Sequence, residues 1–150
     1  MFFSMCSGIQ ELWKKVLFES SFEIEGEKYI SIGNNVCTKP RLHIACINKI
    51  EIGDGTLLGS KIFITDHFHG ETTYESMNIP PSYRILTSRE PVIIGKNVWI
   101  GEGGVIMPGV TVGDNAIIGA NAIVTENIPA FSVVVGNPAR VVKKYEEKMR

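Results

Sequence analysis

The stretch that decides the fold runs Val92-Ile93-Ile94-Gly95-Lys96-Asn97-Val98-Trp99-Ile100-Gly101, continues through Ile106-Met107-Pro108-Gly109-Val110, and ends near Ile118-Gly119-Ala120-Asn121. Aliphatic residues stand six apart at Ile94, Ile100, Ile106, Val112, Ile118 and Val124. The residues that follow them are Gly95, Gly101, Met107, Gly113, Gly119 and Thr125. Four places after each aliphatic comes Val98, Gly104, Val110, Ala116, Ala122 or Ile128, mostly small or β-branched. A weaker copy lies upstream at Ile52, Leu58 and Ile64, with Gly53 and Gly59 in the following positions.

A period of six fits neither an amphipathic helix, which needs apolar residues at i, i+3, i+4 and i+7, nor a half-buried strand, which alternates. It fits a chain that lays down one short flat face, turns, and lays down another. The aliphatic points inward, the next small residue lets the chain bend, and the residue at +4 fills the interior corner. Three faces make a coil of about 18 residues, and coils stack at the strand spacing of roughly 4.8 Å. Composition agrees. Ile and Val number 33 against six Leu, with 15 Gly. Side chains stiff at χ1 suit a pleated surface better than a helix.

Outward from the repeat, the 150 residues divide as one domain in five parts. Residues 8–19 carry apolar side chains at Ile9, Leu12, Trp13, Val16 and Leu17, a helical spacing that predicts a short amphipathic cap on the open end of the stack. Residues 30–69 form the first coils and 92–136 the later ones. Residues 70–91, with Pro80-Pro81, break the period as a loop thrown out from one corner, and a loop of this length is often functional. Residues 138–150 are expected to form a C-terminal helix.

Charge and cysteine usage exclude more than they assign. With 15 basic against 16 acidic residues and a net charge of −1, no general attraction to nucleic acid or anionic lipid is expected. Cys6, Cys37 and Cys46 are odd in number and form no Cys-x-x-Cys pair, which reads as reduced thiols in a cytoplasmic protein. The apolar start Met1-Phe2-Phe3-Ser4-Met5-Cys6 lacks a basic flank and is too short for a signal peptide core. No run approaches the roughly 20 apolar residues that span a bilayer.

The repeat, together with Val135-Gly136-Asn137-Pro138-Ala139-Arg140, resembles the hexapeptide-repeat acyltransferases over residues from about 30 to 145. The resemblance implies a left-handed parallel β-helix of triangular section. Thr65-Asp66-His67-Phe68-His69-Gly70 and Leu86-Thr87-Ser88 are most similar to the O-acetyltransferases of surface polysaccharides, with maltose and galactoside acetyltransferases next. The implied reaction moves an acetyl group from acetyl-CoA to a sugar hydroxyl. N-acetylation of an amino-sugar nucleotide would use the same base and donor. The implied assembly is a homotrimer with active sites between subunits.

The chain has three histidines, His43, His67 and His69. His67 and His69 stand where the loop leaves the coils, flanked by Asp66 and Glu71, and a neutral imidazole there can serve as general base. An ungapped alignment from Ile52-Gly53-Asp54 places the family's catalytic histidine at His69; a shift of two residues selects His67. No Cys or Ser sits in a nucleophile elbow, so direct transfer is expected in place of an acyl-enzyme. The resemblance carries coenzyme binding to Glu102, Ala120, Thr125, Arg140 and Lys143. It departs at Glu126, where relatives often have Lys, and near Lys39, where sugar-acetylating relatives place an Asn. Zinc-dependent carbonic anhydrases share the fold, but His43, His67 and His69 lack the later ligand of that pattern, so no metal is expected. A β-helix without catalytic activity is the remaining alternative class.

Overall fold

A computed structural model describes residues 16–146. The chain climbs as a parallel β-solenoid of about six turns. β1 (Leu17–Phe18), β2 (Phe22–Glu25) and β3 (Ile30–Ile32) make the first coil, and β4 (Cys37–Thr38), β5 (Leu42–Ala45) and β6 (Ile50–Ile52) the second. β7 (Leu57–Leu58), β8 (Phe63–Thr65) and β9 (Val92–Ile94) make the third, with the loop between β8 and β9. β10 (Trp99–Ile100), β11 (Val105–Ile106) and β12 (Thr111–Val112) follow, then β13 (Ile117–Ile118), β14 (Ile123–Val124) and β15 (Ser132–Val135). The parallel strands stack into three sheets in the orders β1-β4-β7-β10-β13-β15, β2-β5-β8-β11-β14 and β3-β6-β9-β12.

The period-six aliphatics are the core. Ile44, Ile64, Ile106 and Val124 lie in one register column of the second sheet, and all four are fully buried. The residues four places on, Val98, Val110, Ala116, Ala122 and Ile128, are buried as well and fill the corners. Strands of two to four residues leave little room for rotamer adjustment, and Ile and Val offer flat, stiff surfaces to the coil above and below.

Coil length changes along the stack. Register partners stand 20 residues apart in the early coils, as Leu17 with Cys37 and Cys37 with Leu57, and 18 apart later, as Trp99 with Ile117 and Val105 with Ile123. The two extra residues lie at the corner between the second and third sheets, at 45–49 in the second coil. The same corner opens into the long loop in the third coil.

The glycines after the aliphatics do more than let the chain bend. A Cβ on Gly53 would lie 2.5 Å from the carbonyl carbon of Gly95 and 2.7 Å from the amide of Lys96, both backbone of the next coil. The corners approach so closely that Gly53 cannot carry a side chain, and Gly95 meets the same limit against Asp114 one coil further on. The left-handed bend itself falls two residues later, at Gly55 (φ +72°) and, a coil on, at Asn97 (φ +52°), residue types that tolerate this region.

The ends depart from expectation. The C-terminal helix is absent from the described residues: Arg140–Lys144 is a strand, β16, which pairs antiparallel with β15. The unpaired edge of the last rung offers a row of N–H and C=O groups, and the β-branched pair Val141-Val142 pairs with it more readily than it begins a helix. At the other end, Leu17–Phe18 is a strand, so the stack starts before residue 30; the rest of the expected cap, 8–15, lies outside the described residues. The loop holds one short helix, α1 (Tyr74–Met77), capped by Thr73 and Ser76. Among the described residues, no helix is long and apolar enough to cross a membrane.

Gly53→Ala is expected to lower unfolding free energy by about 1–3 kcal/mol, the usual range for overpacking. Chemical denaturation measures it, and an unchanged midpoint would contradict the corner contact.

Candidate active site

The corner where the loop departs is organised by one carboxylate. Asp66 follows the last residue of β8, and its side chain is fully buried against the corner of the coil below. Its Oδ1 accepts the amide of Ile47 at 3.0 Å, and Oδ2 accepts those of Asn48 and Lys49 at 2.7 and 2.8 Å. The thiol of Cys46 donates to Oδ2 at 3.2 Å. Successive amides of a tight corner have no ladder partner of their own, and the carboxylate collects them.

Burial pushes the Asp66 carboxyl up, but the bonds from Ile47, Asn48, His67 and Cys46 outweigh it and hold the group below the ordinary aspartate value. The neighbouring thiol moves the other way. Burial, then the hydrogen bond and charge of Asp66, raise Cys46 to about 12, so it stays a thiol at neutral pH. Cys46 is therefore a structural donor and not a nucleophile.

His67 Nδ1 lies 3.0 Å from Asp66 Oδ1 and 3.3 Å from Thr65 Oγ1, and the side chain is 10% exposed. Opposite an ionised carboxylate the proton belongs on Nδ1, which leaves the Nε2 lone pair free. His69 is exposed and makes no hydrogen bond among the described residues; its ring stands edge-on to His67, with centroids 6.4 Å apart. Phe68, between them, exchanges two backbone hydrogen bonds with Thr87, each 2.9 Å, and pins the loop shut at its root. Glu71, the other carboxylate flanking the histidines in sequence, pairs instead with Arg89 at 2.6 Å across the loop.

The coenzyme positions Glu102, Ala120, Thr125, Arg140 and Lys143 are all exposed, and among the described residues none is bonded to either histidine. Glu102 pairs with Lys61 at 2.8 Å, and the Lys61 hydrogen bond and charge hold its carboxyl below the ordinary glutamate value. Ala120 sits on the corner directly above, where the amide of Asn121 donates to the Glu102 carbonyl at 2.8 Å. Thr125 extends the register column that contains Thr65, two rungs away, or roughly 10 Å at sheet spacing. Arg140 faces Glu126 at 3.9 Å, so the departure at Glu126 supplies a carboxylate partner for the arginine. β16 carries a bulge: Val133 pairs with Lys143 and Val134 with Val141, leaving Val142 as the extra residue. Arg140 and Lys143, three apart, would face opposite ways on a regular strand; the bulge puts both on the outer face.

Residues 91–126 match the family described as "Hexapeptide repeat of succinyl-transferase". The chain is 31% identical to the galactoside O-acetyltransferase of Escherichia coli over 99% of its own length and 86% of the relative's. It is 40% identical to the Escherichia coli protein WbbJ, whose name assigns it provisionally to lipopolysaccharide biosynthesis as an O-acetyl transferase; the match covers 83% of the chain and 65% of that protein's length. Among solved structures, a maltose O-acetyltransferase from Clostridium difficile superposes with a TM-score of 0.74 at 37% identity, over 89% of this chain and 68% of that one. A hexapeptide-repeat acetyltransferase from Vibrio cholerae, solved with acetyl-coenzyme A, gives 0.77 at 26% identity, over 92% and 74%. The chain belongs to the hexapeptide-repeat acetyltransferase family.

Asp66→Asn removes the charge that collects the corner amides and is expected to cost about 1.5–3 kcal/mol at pH 7. The folded pKa lies below the unfolded value, so the carboxylate's contribution is complete above about pH 4 and is lost as pH falls through the folded pKa. Urea unfolding of wild type and Asp66→Asn should therefore converge only in acid. Equal stabilities at pH 7 would contradict this assignment.

Proposed function

We propose that this protein transfers the acetyl group of acetyl-coenzyme A directly to a hydroxyl of a sugar, in a surface polysaccharide or its intermediate, with His67 as general base. The observation that carries the reading is the His67–Asp66 contact: a buried, ionised carboxylate holds Nδ1 and leaves Nε2 to accept the proton. As the hydroxyl oxygen attacks the thioester carbonyl, its proton passes to Nε2. The C–S bond then breaks, and the imidazolium returns the proton to the leaving thiolate. Asp66 steadies the charged ring between these steps, and His69 stands beside the incoming acceptor.

For the donor, Glu102, Ala120, Thr125, Arg140 and Lys143 border the path expected for the coenzyme. Small Ala120 leaves room for the pantetheine arm, and Arg140 with Lys143 presents two cations on one face to its phosphates. The coils are of the left-handed kind, the enzyme works in the cytoplasm, and it assembles as a homotrimer with sites between subunits. Two apolar surfaces that no other described residue covers support assembly. Leu57, Trp99, Ile117 and Val133 form one outward register row on the first sheet, and the loop exposes Tyr74, Met77, Tyr83 and Ile85.

A coenzyme-A release assay across sugars, nucleotide sugars and amino-sugar nucleotides tests the reaction. His67→Ala is expected to lower turnover by about 10²-fold or more, the usual worth of a general base. If His69→Ala abolishes turnover and His67→Ala does not, the base is His69; if neither falls tenfold, the mechanism is wrong. Light scattering should give three chain masses per particle, and a monomer that remains fully active would refute sites shared between subunits.

A further inference from the structure

We propose that Glu23, Glu25 and His43 form a binding site for a divalent transition-metal ion of the zinc type, on the outer face of the second sheet where the first coil meets the second. The site is separate from the transferase corner and does not depend on that reading.

Three features converge there. Strand alternation in β2 turns Phe22 and Ile24 toward the core and leaves Glu23 and Glu25 exposed on the outer face. Register pairs Glu23 directly with His43 of β5. One ligand atom from each of the three side chains lies within 4.8 Å of the others. Four-coordinate zinc with bonds of 2.0–2.1 Å needs ligand atoms roughly 3.3 Å apart, a gap that rotation of two exposed glutamates can close.

The groups are also unpaired. Glu19, Glu51, Glu71 and Glu102 each hold a lysine or arginine. The carboxylates of Glu23 and Glu25 make no hydrogen bond or ion pair among the described residues, although they stand on one face of a four-residue strand. Arg41 borders the same place, and among the described residues it forms no ion pair with either. His43 Nε2 is buried and has no hydrogen-bond partner among the described residues, an arrangement that costs free energy unless something binds there. Its ring is already held in place by Phe63 of the next coil, with centroids 4.9 Å apart. A cavity of about 270 Å³ opens beside it, lined by Ser21, Phe22, Glu23, Arg41, Leu42 and His43.

Two carboxylates and a neutral imidazole suit zinc and its neighbours, and a divalent ion would cancel the two negative charges. The ligands come from adjacent coils, so the ion would cross-link the first described coil to the second.

Titration calorimetry and thermal melts of the full chain with zinc chloride alone test the site. Wild type should bind one zinc ion per chain at this site and melt higher in its presence. Glu25→Gln and His43→Gln should each weaken binding at least tenfold, while a His67→Gln/His69→Gln double variant keeps it. Glu25 is exposed, so its variant reports even if the histidine variant folds poorly. The proposal is overturned if wild type does not bind, if Glu25→Gln binds as tightly as wild type, or if binding is lost only in the His67/His69 variant.

Discussion

Everything in this molecule depends on coils approaching to strand distance. No coil can bury its own aliphatic residues, so the stack exists only because each inward Ile or Val lies on another one rung away. That spacing is set by backbone hydrogen bonds, and it imposes a second condition at the corners. Where Gly53 meets Gly95 there is no room for a Cβ, so the ladder dictates glycine there. The same closeness explains the scarcity of Leu: short strands in a rigid ladder favour side chains that are already stiff.

Leaving the ladder requires compensation. In the second coil the corner at 45–49 turns with several amides directed away from any strand, and Asp66 of the third coil satisfies three of them. The carboxylate that closes this corner also faces His67. One buried group thus meets two demands. Ionised, it completes the backbone hydrogen bonding of the coil below, and the charge retained for that purpose fixes which nitrogen of the imidazole bears the proton. Cys46 belongs to the same arrangement, its thiol serving as a further donor.

The far end shows the converse problem. The stack has to stop, and the last parallel rung leaves an open edge. β16 folds back over β15, and its bulge turns Arg140 and Lys143 to one face. A structural need to cover an edge therefore also gathers two cations into one place on an otherwise near-neutral protein.

The solenoid was legible in sequence because its cause is local and repeated: Ile94 through Val124 state the same six-residue instruction in one frame. The histidine corner was legible as a place, since His67 and His69 stand where that instruction fails. Other features were not, because their causes lie far along the chain. Residues 140–144 can be read as helix or strand, and only the free edge of β15 decides for the strand. Asp66 appears in sequence as one of two acids beside the histidines. Its partners at Cys46 through Lys49 lie 17–20 residues earlier, brought within hydrogen-bond reach by coils 20 residues long. Sequence periodicity alone determined that the chain would coil and where it would open. The tertiary structure decided which acid is buried, which imidazole nitrogen is held and how the stack ends, because each depends on which backbone groups the coils leave without a partner.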